Sequence, residues 1–176
     1  MDPLIVGLDL SLTATGVALP DGITTTLTNK MRGSARIAWI VDSIMDYLQG
    51  LDGDLVVVIE GPFVHAKHPQ GMVGTFKLHG CVEDALYRAG EPMASVAPSV
   101  LKKLACGHGG APKEQVLVAA IKRLGYEGAD HNQADALWLR EAGRLHYGIS
   151  DVRLPQVNMD VLAKAEWPVL AAEGVF

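Results

Sequence analysis

Leu4-Ile5-Val6-Gly7-Leu8-Asp9-Leu10 is an apolar run interrupted by one carboxylate. In an extended reading Ile5, Gly7 and Asp9 share one face, and Leu4, Val6, Leu8 and Leu10 share the other. An ionised group on a half-buried strand is costly unless it is paired, hydrogen-bonded or bound to a metal. Chains tolerate that cost mainly where chemistry happens, so Asp9 is the residue to explain. Gly7 predicts open space beside the carboxylate, where a phosphate could approach.

Working outward, Thr15–Leu19 and Ile23–Thr28 read as two further strands joined by the turn Pro20-Asp21-Gly22, which predicts an antiparallel meander. The three-and-four spacing of Ile37, Ile40, Val41, Ile44, Tyr47 and Leu48 predicts an amphipathic helix ending near Gly50. Leu55-Val56-Val57-Val58-Ile59 is continuous and β-branched, the pattern of a strand buried on both faces, and Glu60 follows it directly. A helix over about 71–88 with Gly90 as its C-cap and a strand at Met93–Ala97 come next. Pro98 and Ser99 open a short helix, Gly107-His108-Gly109-Gly110 breaks it, Pro112 starts another to near Gly125, and a last strong helix covers about 132–147. The pattern predicts an α/β domain over residues 1–150. Residues 151–176 read as an irregular tail, with a helical turn or two around Val161–Glu166 and no assigned function.

A chain of 176 residues, 49% hydrophobic, suffices for one domain with a real core. It has no run of about 18 apolar residues to span a bilayer and nothing like a signal peptide, which predicts a soluble, cytoplasmic protein. Cys81 and Cys106 make neither a disulfide framework nor a Cys-x-x-Cys ligand pair, so reduced thiols are expected. A net charge of −5 taken alone argues against a nucleic-acid partner. The distribution reverses that inference: residues 61–125 hold eight Lys or Arg and four Asp or Glu, a local +4 that leaves −9 elsewhere. A basic middle between acidic flanks suits a phosphate backbone, although a solvated helix surface has the same composition.

Two further acids stand at element ends. Glu60 closes the most hydrophobic strand, where open sheets covered by helices present ligand-binding groups, or it is simply the first solvated residue past that strand. Asp135 is spaced by three, four and seven from Trp138, Leu139 and Ala142, so it opens the apolar stripe of the last helix, and Ala134 and Ala136 beside it allow close approach to a sheet. Three carboxylates converging on one core suggest a cage for a hard divalent cation such as magnesium or manganese. Two such ions about 4 Å apart can activate water and stabilise the leaving oxygen in phosphodiester cleavage.

These residues resemble the RuvC-type Holliday-junction resolvases of the ribonuclease-H-like superfamily. The resemblance is carried by Gly7-Leu8-Asp9-Leu10-Ser11 followed by Thr15-Gly16, by Ile59-Glu60 followed by Phe63, by the stretch Lys102 to Val116, and by Ala134-Asp135-Ala136-Leu137. It implies a ribonuclease-H-like α/β fold with a five-stranded mixed sheet, three antiparallel N-terminal strands plus two parallel ones, flanked by helices. It also implies a homodimer, with the helix over about 71–88 as candidate interface, although the apolar positions of that helix can equally be core. The implied activity is metal-dependent nicking of opposed strands in branched DNA, leaving 5'-phosphate ends. Asp9, Glu60 and Asp135 match the family's acidic metal ligands, with two Mg2+ ions expected and Mn2+ able to substitute. Phe63 matches an aromatic that stacks on bases at the junction centre, though a core or lip Phe reads the same way. Lys102 and Lys113 match lysines assigned to phosphate contact or the scissile centre. Lys103 and Lys67 join them as DNA-binding candidates.

One position departs from the family. A fourth ligand, Asp or His, stands three residues before the last Asp, and here that residue is Asn132. Asp130 is expected to substitute in preference to His131, although Asp130-x-x-Gln133 is also a capping-box pattern that would occupy the carboxylate on helix amides.

Three other readings compete. Sugar kinases and actin-like ATPases share the Gly-x-Asp strand leading to Thr-Gly but resemble tandem duplicated domains, which this chain is too short to hold, so no nucleotide cofactor is expected. The Phe63 and Lys102 to Lys113 features favour the junction enzymes over the resolvase-like ribonucleases, a usually monomeric branch linked to RNA maturation. A non-enzymatic junction-binding module has only Asn132 in its favour. The acidity and the short extra tail lean toward a phage or other mobile element, in a bacterial cell or a phage-infected host.

Overall fold

The computed structural model describes residues 2–61 and 72–170. Its sheet has the strand order β3-β2-β1-β4-β5. β1 (Leu4–Asp9), β2 (Thr15–Ala18) and β3 (Thr24–Leu27) form the expected meander, and the turn is closed by hydrogen bonds from the Leu19 amide to the Ile23 carbonyl at 2.8 Å and from the Ile23 amide to Asp21 Oδ1 at 2.9 Å. β4 (Leu55–Glu60) and β5 (Met93–Val96) add in parallel on the other side of β1, so the sheet is mixed as the resemblance implied.

Helices cover both faces. α1 (Gly33–Gln49) and α2 (Val73–Ala89) lie on one side, where Ile40, Ile44, Leu78, Val82 and Leu86 meet Val6, Leu8, Val57 and Ile59. α3 (Pro98–Cys106), α4 (Lys113–Leu124) and α5 (His131–His146) lie on the other, where Leu101, Leu104, Val116 and Trp138 meet Ile5, Val56 and Val58. Every apolar residue of β4 is therefore buried, the even ones in one layer and the odd ones in the other, which is why its sequence is a continuous β-branched run. Gly90 and Gly107 close α2 and α3 with φ of +76° and +86°, a conformation that side chains with a Cβ resist.

α5 lies against the sheet backbone itself. A methyl group at Gly7 would collide with the Ala136 carbonyl oxygen and lie 2.5 Å from the Arg140 amide nitrogen, and one at Gly16 would strike the Asn132 carbonyl. The space expected beside Asp9 is thus filled by helix backbone and is no approach route for a phosphate. Both glycines are required for close packing, and that packing sets the height of α5 over β1.

The start of α5 is locked by polar contacts to the edge strand. Thr26 donates to Asp130 Oδ2 at 2.7 Å, Thr24 donates to Gln133 Oε1 at 2.9 Å, and Gln133 Nε2 donates to Thr26 Oγ1 at 3.1 Å. Further along the helix, Arg140 donates to the Pro20 carbonyl.

The segment after residue 150 holds a helical turn, α6 (Gln156–Met159), and a 3-10 turn (Asp160–Lys164), starting five residues earlier than the sequence pattern suggested. It packs firmly: Val161 and Leu162 enter the α3–α5 core, buried Asn158 donates to the Leu104 carbonyl at 2.9 Å, and Trp167 stacks on His146 with centroids 4.3 Å apart. A short, proline-bracketed element has no periodicity to betray that burial.

Candidate active site

Strand register brings the first two acids together. β1 and β4 are parallel neighbours with Leu8 opposite Ile59, so the next residues, Asp9 and Glu60, end the two strands side by side. Leu8 and Ile59 face the α1–α2 layer, which turns Asp9 and Glu60 toward α5. With Asn132 over Gly16, the strand partner of Asp9, and Ala136 over Gly7, the helix carries Asp135 to the same end of the sheet. The connection after Asp9 is held by a hydrogen bond from Thr15 Oγ1 to the Ser11 carbonyl at 2.7 Å and from the Ser11 amide back to Thr15 Oγ1 at 3.2 Å.

The electrostatics follow from that convergence. Burial, then repulsion from Asp135, pushes the Asp9 carboxyl up to about 7, against a smaller lowering by Lys113. Glu60 is pushed up to about 8 by burial, then by Asp9 and Asp135, with Lys113 and Lys102 opposing. Burial also raises Asp135, while Lys113, His131 and Lys102 pull it down. No hydrogen bond to any of the three carboxylates is present among the described residues. Glu60 and Asp135 line a cleft of about 450 Å³ with Lys102, Lys113, Ser99 and Gly109, and Asp9 is 8% exposed.

One buried and two half-buried oxygen ligands that repel one another and lack donors suit a hard divalent cation by chemistry and by charge. Among the described residues no three His, Cys, Asp or Glu groups are drawn close enough to form a ready-made cage. Mutual repulsion at this burial opposes such a cage until positive charge offsets it.

The structure separates the other sequence candidates. Lys113, in the first turn of α4, acts on all three acids, and Lys102 on α3 acts on Glu60 and Asp135. Lys103 is not among the residues lining the cleft. Phe63 and Lys67 lie outside the described residues. Asp130 does not behave as a spare ligand: its Oδ1 accepts from the Asn132 amide at 2.8 Å, the Asn132 side chain at 3.2 Å and the Gln133 amide at 3.4 Å, and its Oδ2 accepts from Thr26. Burial alone would raise its pKa, but these bonds hold it below the usual carboxylate range. The capping pattern in the sequence thus describes what Asp130 does. Ser99 and Gly109 were not anticipated as cleft residues, because only the folding of α3 against the glycine-rich turn brings them there.

The family model for the crossover junction endodeoxyribonuclease RuvC matches residues 5–140. The chain belongs to the RuvC family. Membership makes it a junction-resolving endodeoxyribonuclease and sets it apart from the actin-like ATPases and the RNA-directed branch. The family is in general divalent-metal dependent. Two solved structures share the RuvC fold with this chain. A RuvC structure from Thermus thermophilus has 22% identity and a TM-score of 0.63, covering 85% of this chain and 99% of its own. T. thermophilus RuvC in complex with a Holliday junction substrate has 21% identity and a TM-score of 0.66, covering 86% and 100%. No curated protein sequence gives a significant match. Among the described residues no helix is long and apolar enough to cross a membrane.

The raised carboxylates carry a consequence for stability. Between about pH 4 and pH 8 the folded chain holds protons on Asp9 and Glu60 that the unfolded chain has released, so stability without metal falls as pH rises through that window. Asp9→Asn removes one strained group. In calorimetry with chelator, its Tm at pH 8 is expected to exceed wild type by several degrees, with the two converging near pH 4. A relief of only 2 kcal/mol corresponds to roughly 4–8 °C in a chain of this size. A wild type as stable as the variant at pH 8 would contradict the buried repulsion.

Proposed function

We propose that the chain resolves four-way (Holliday) DNA junctions by paired nicking, with Asp9, Glu60 and Asp135 as metal ligands, two Mg2+ ions as cofactor and Mn2+ as a working substitute. The observation that carries the reading is the convergence of three mutually repelling acids, Asp9 buried and Glu60 and Asp135 half-buried, with Lys113 acting on all of them. The likeness to a RuvC that was solved on a Holliday junction supports extending it to four-way DNA.

When bound, the ions supply an activated water and stabilise the leaving 3' oxygen. Asp9, Glu60 and Asp135 fix the position of that charge at the ends of β1, β4 and the first turns of α5. Lys113 offsets phosphate charge in the cleft, and the free amides at the start of α4 favour an anion in the same place. Lys102 holds the strand beside the cut, and Phe63, Lys67 and Lys103 extend the DNA contact by stacking and charge. Cleavage leaves 5'-phosphate ends.

Resolution needs two cuts at fixed separation, which a twofold dimer supplies most simply. The outer face of α2 supports it: Val73, Phe76 and Tyr87 are exposed there, and Gly80 and Cys81 border an apolar groove shared with Ile37 and Val41 of α1.

The test is cleavage of four-way, flap and linear DNA in Mg2+ by wild type and Lys113→Gln, with sedimentation to measure mass on the junction. Four-way DNA is expected to be cut in symmetric pairs by a dimer, and Lys113→Gln to slow the cut by about 10²-fold while binding persists. With about five phosphate contacts, junction affinity drops about 10²- to 10³-fold between 50 and 200 mM salt despite the acidic net charge. Indifference to junction structure, or a flat salt response, would defeat the reading.

A further inference from the structure

We propose that Lys30, Arg32 and Arg36 form a second phosphate-binding strip, separate from the cleft side held by Lys102 and Lys113, that grips a duplex arm of the junction where it leaves the active site across the β3 edge. The inference rests on the junction-resolving reading above and adds a binding surface to it.

The placement of charge along the chain is the first observation. Residues 1–60 carry eight Asp or Glu, yet their three Lys or Arg fall within seven positions, and no acid occurs between Asp21 and Asp42. This cluster lies outside the basic stretch at 61–125. Lys30 and Arg32 are exposed, and none of the three bases forms an ion pair among the described residues. Arg36 Nε donates to the Met31 carbonyl at 2.6 Å, which ties the loop to the first turn of α1. The bases also stand where folding disfavours them. Arg32 is the N-cap of α1, and the first turn of that helix holds no acid. The partial positive charge at a helix N-terminus repels cations, so these three weaken the local structure they sit on. A conflict of that kind between charge and fold is expected where a bound anion resolves it.

The register fixes where the strip lies. Asp9 pairs with Gly16 of β2, and Gly16 pairs with Thr26 of β3, so the three share one row across the sheet. Because β3 runs parallel to β1, the chain beyond Leu27 emerges at the same end of the sheet as Asp9 and Glu60. It then passes to the α1–α2 layer, where Leu12, three residues after Asp9, shares a pocket of about 210 Å³ with Gly33, Ser34, Arg36 and Lys77. Lys102 and Lys113 reach the acids from the other side, through α3 after β5 and through α4. With strands about 4.8 Å apart, the β3 edge is roughly 10 Å from β1 and 19 Å from β5. Duplex grooves about 6 and 12 Å wide are on that scale, so a backbone that meets Lys113 at the cut can continue onto Lys30 and Arg32.

The experiment measures binding of the full chain to a four-way junction in Ca2+ by fluorescence anisotropy between about 50 and 200 mM salt, with hydroxyl-radical footprints of the same complexes. The double variant Lys30→Gln with Arg32→Gln is expected to bind about 10-fold more weakly, to lower the slope of log affinity against log salt by about 2, and to lose protection on one duplex arm. Protection beside the cut and the single-turnover rate in Mg2+ at saturating protein are expected to match wild type. Its Tm is expected to stay level or rise, so that lost binding is not lost folding. Arg153→Gln with Lys164→Gln, which removes two exposed charges after residue 150, is expected to keep wild-type affinity and slope. An unchanged slope in the first double variant, or an equal loss in the second, overturns the strip even where wild type binds and cuts the junction. Wild type that binds four-way DNA no tighter than linear duplex would instead overturn the junction reading, and the strip with it.

Discussion

Asp9→Asn is expected to lower the single-turnover rate of junction cleavage in Mg2+ by roughly 10³-fold or more while leaving junction affinity in Ca2+ equal to wild type or tighter. The size follows from the position of Asp9 at the central strand end, between Glu60 on the neighbouring strand and Asp135 on the helix above. Replacing the carboxylate by an amide keeps the shape but withdraws one of the negative charges proposed to hold the cations. The affinity follows from the opposite effect of the same change, because one negative charge fewer faces the phosphates. Glu60→Gln is expected to behave alike. Asp130→Ala is the contrasting variant: it weakens the α5 cap by about 1 kcal/mol, seen as a lower Tm, and leaves the cleavage rate within a few-fold. Equal losses of rate at Asp9 and Asp130 would mean that the cap is a ligand after all.

Gly7→Ala is expected to destabilise the protein severely for a single methyl addition. The added carbon would overlap the Ala136 carbonyl and press on the Arg140 amide, both of them backbone atoms in the middle of α5 that no rotamer change can move. Relief requires lifting the helix off β1, which would open the core around Ile5, Val58 and Trp138 and carry Asp135 away from Asp9. Overpacking of this kind typically costs 1–3 kcal/mol where side chains can adjust, and about 4 kcal/mol or more is expected here because they cannot. Urea denaturation of Gly7→Ala against Gly80→Ala measures it, since a methyl at Gly80 meets nothing within 4 Å. A Gly7→Ala midpoint matching Gly80→Ala would mean that α5 does not rest on β1 as described.

Gly7 marks where sequence reading stops. The strands, the helices and their order were legible because burial imposes period: alternation in β1, a continuous run in β4, and three-and-four spacing in α1 and α5. The acids were legible because charge among apolar neighbours contradicts that period. Gly7 was misread as open space, since a missing side chain leaves no trace of what fills the gap, and only the docked helix supplies it. Asp130 carried two signals at once, an acid near Asp135 and a capping pattern, and its hydrogen bonds to the α5 amides and to Thr26, 104 residues earlier, follow the second. The burial of Val161 and Leu162 was hidden for another reason. A turn of α-helix followed by a turn of 3-10 helix is too short to show a period, yet it closes the core over α3, the helix that presents Lys102.

We propose that Asp9, Glu60 and Asp135 together hold the divalent ions that cut the junction. Anomalous diffraction at the manganese edge, from crystals of the wild-type chain grown on a four-way junction with a non-cleavable linkage, tests it most directly. Two manganese peaks about 4 Å apart are predicted between the three carboxylates and the scissile phosphate, at metal–oxygen bonding distance from each acid. A map with no peak bonded to Asp9, or with manganese bound at Asp130 instead, would contradict the account.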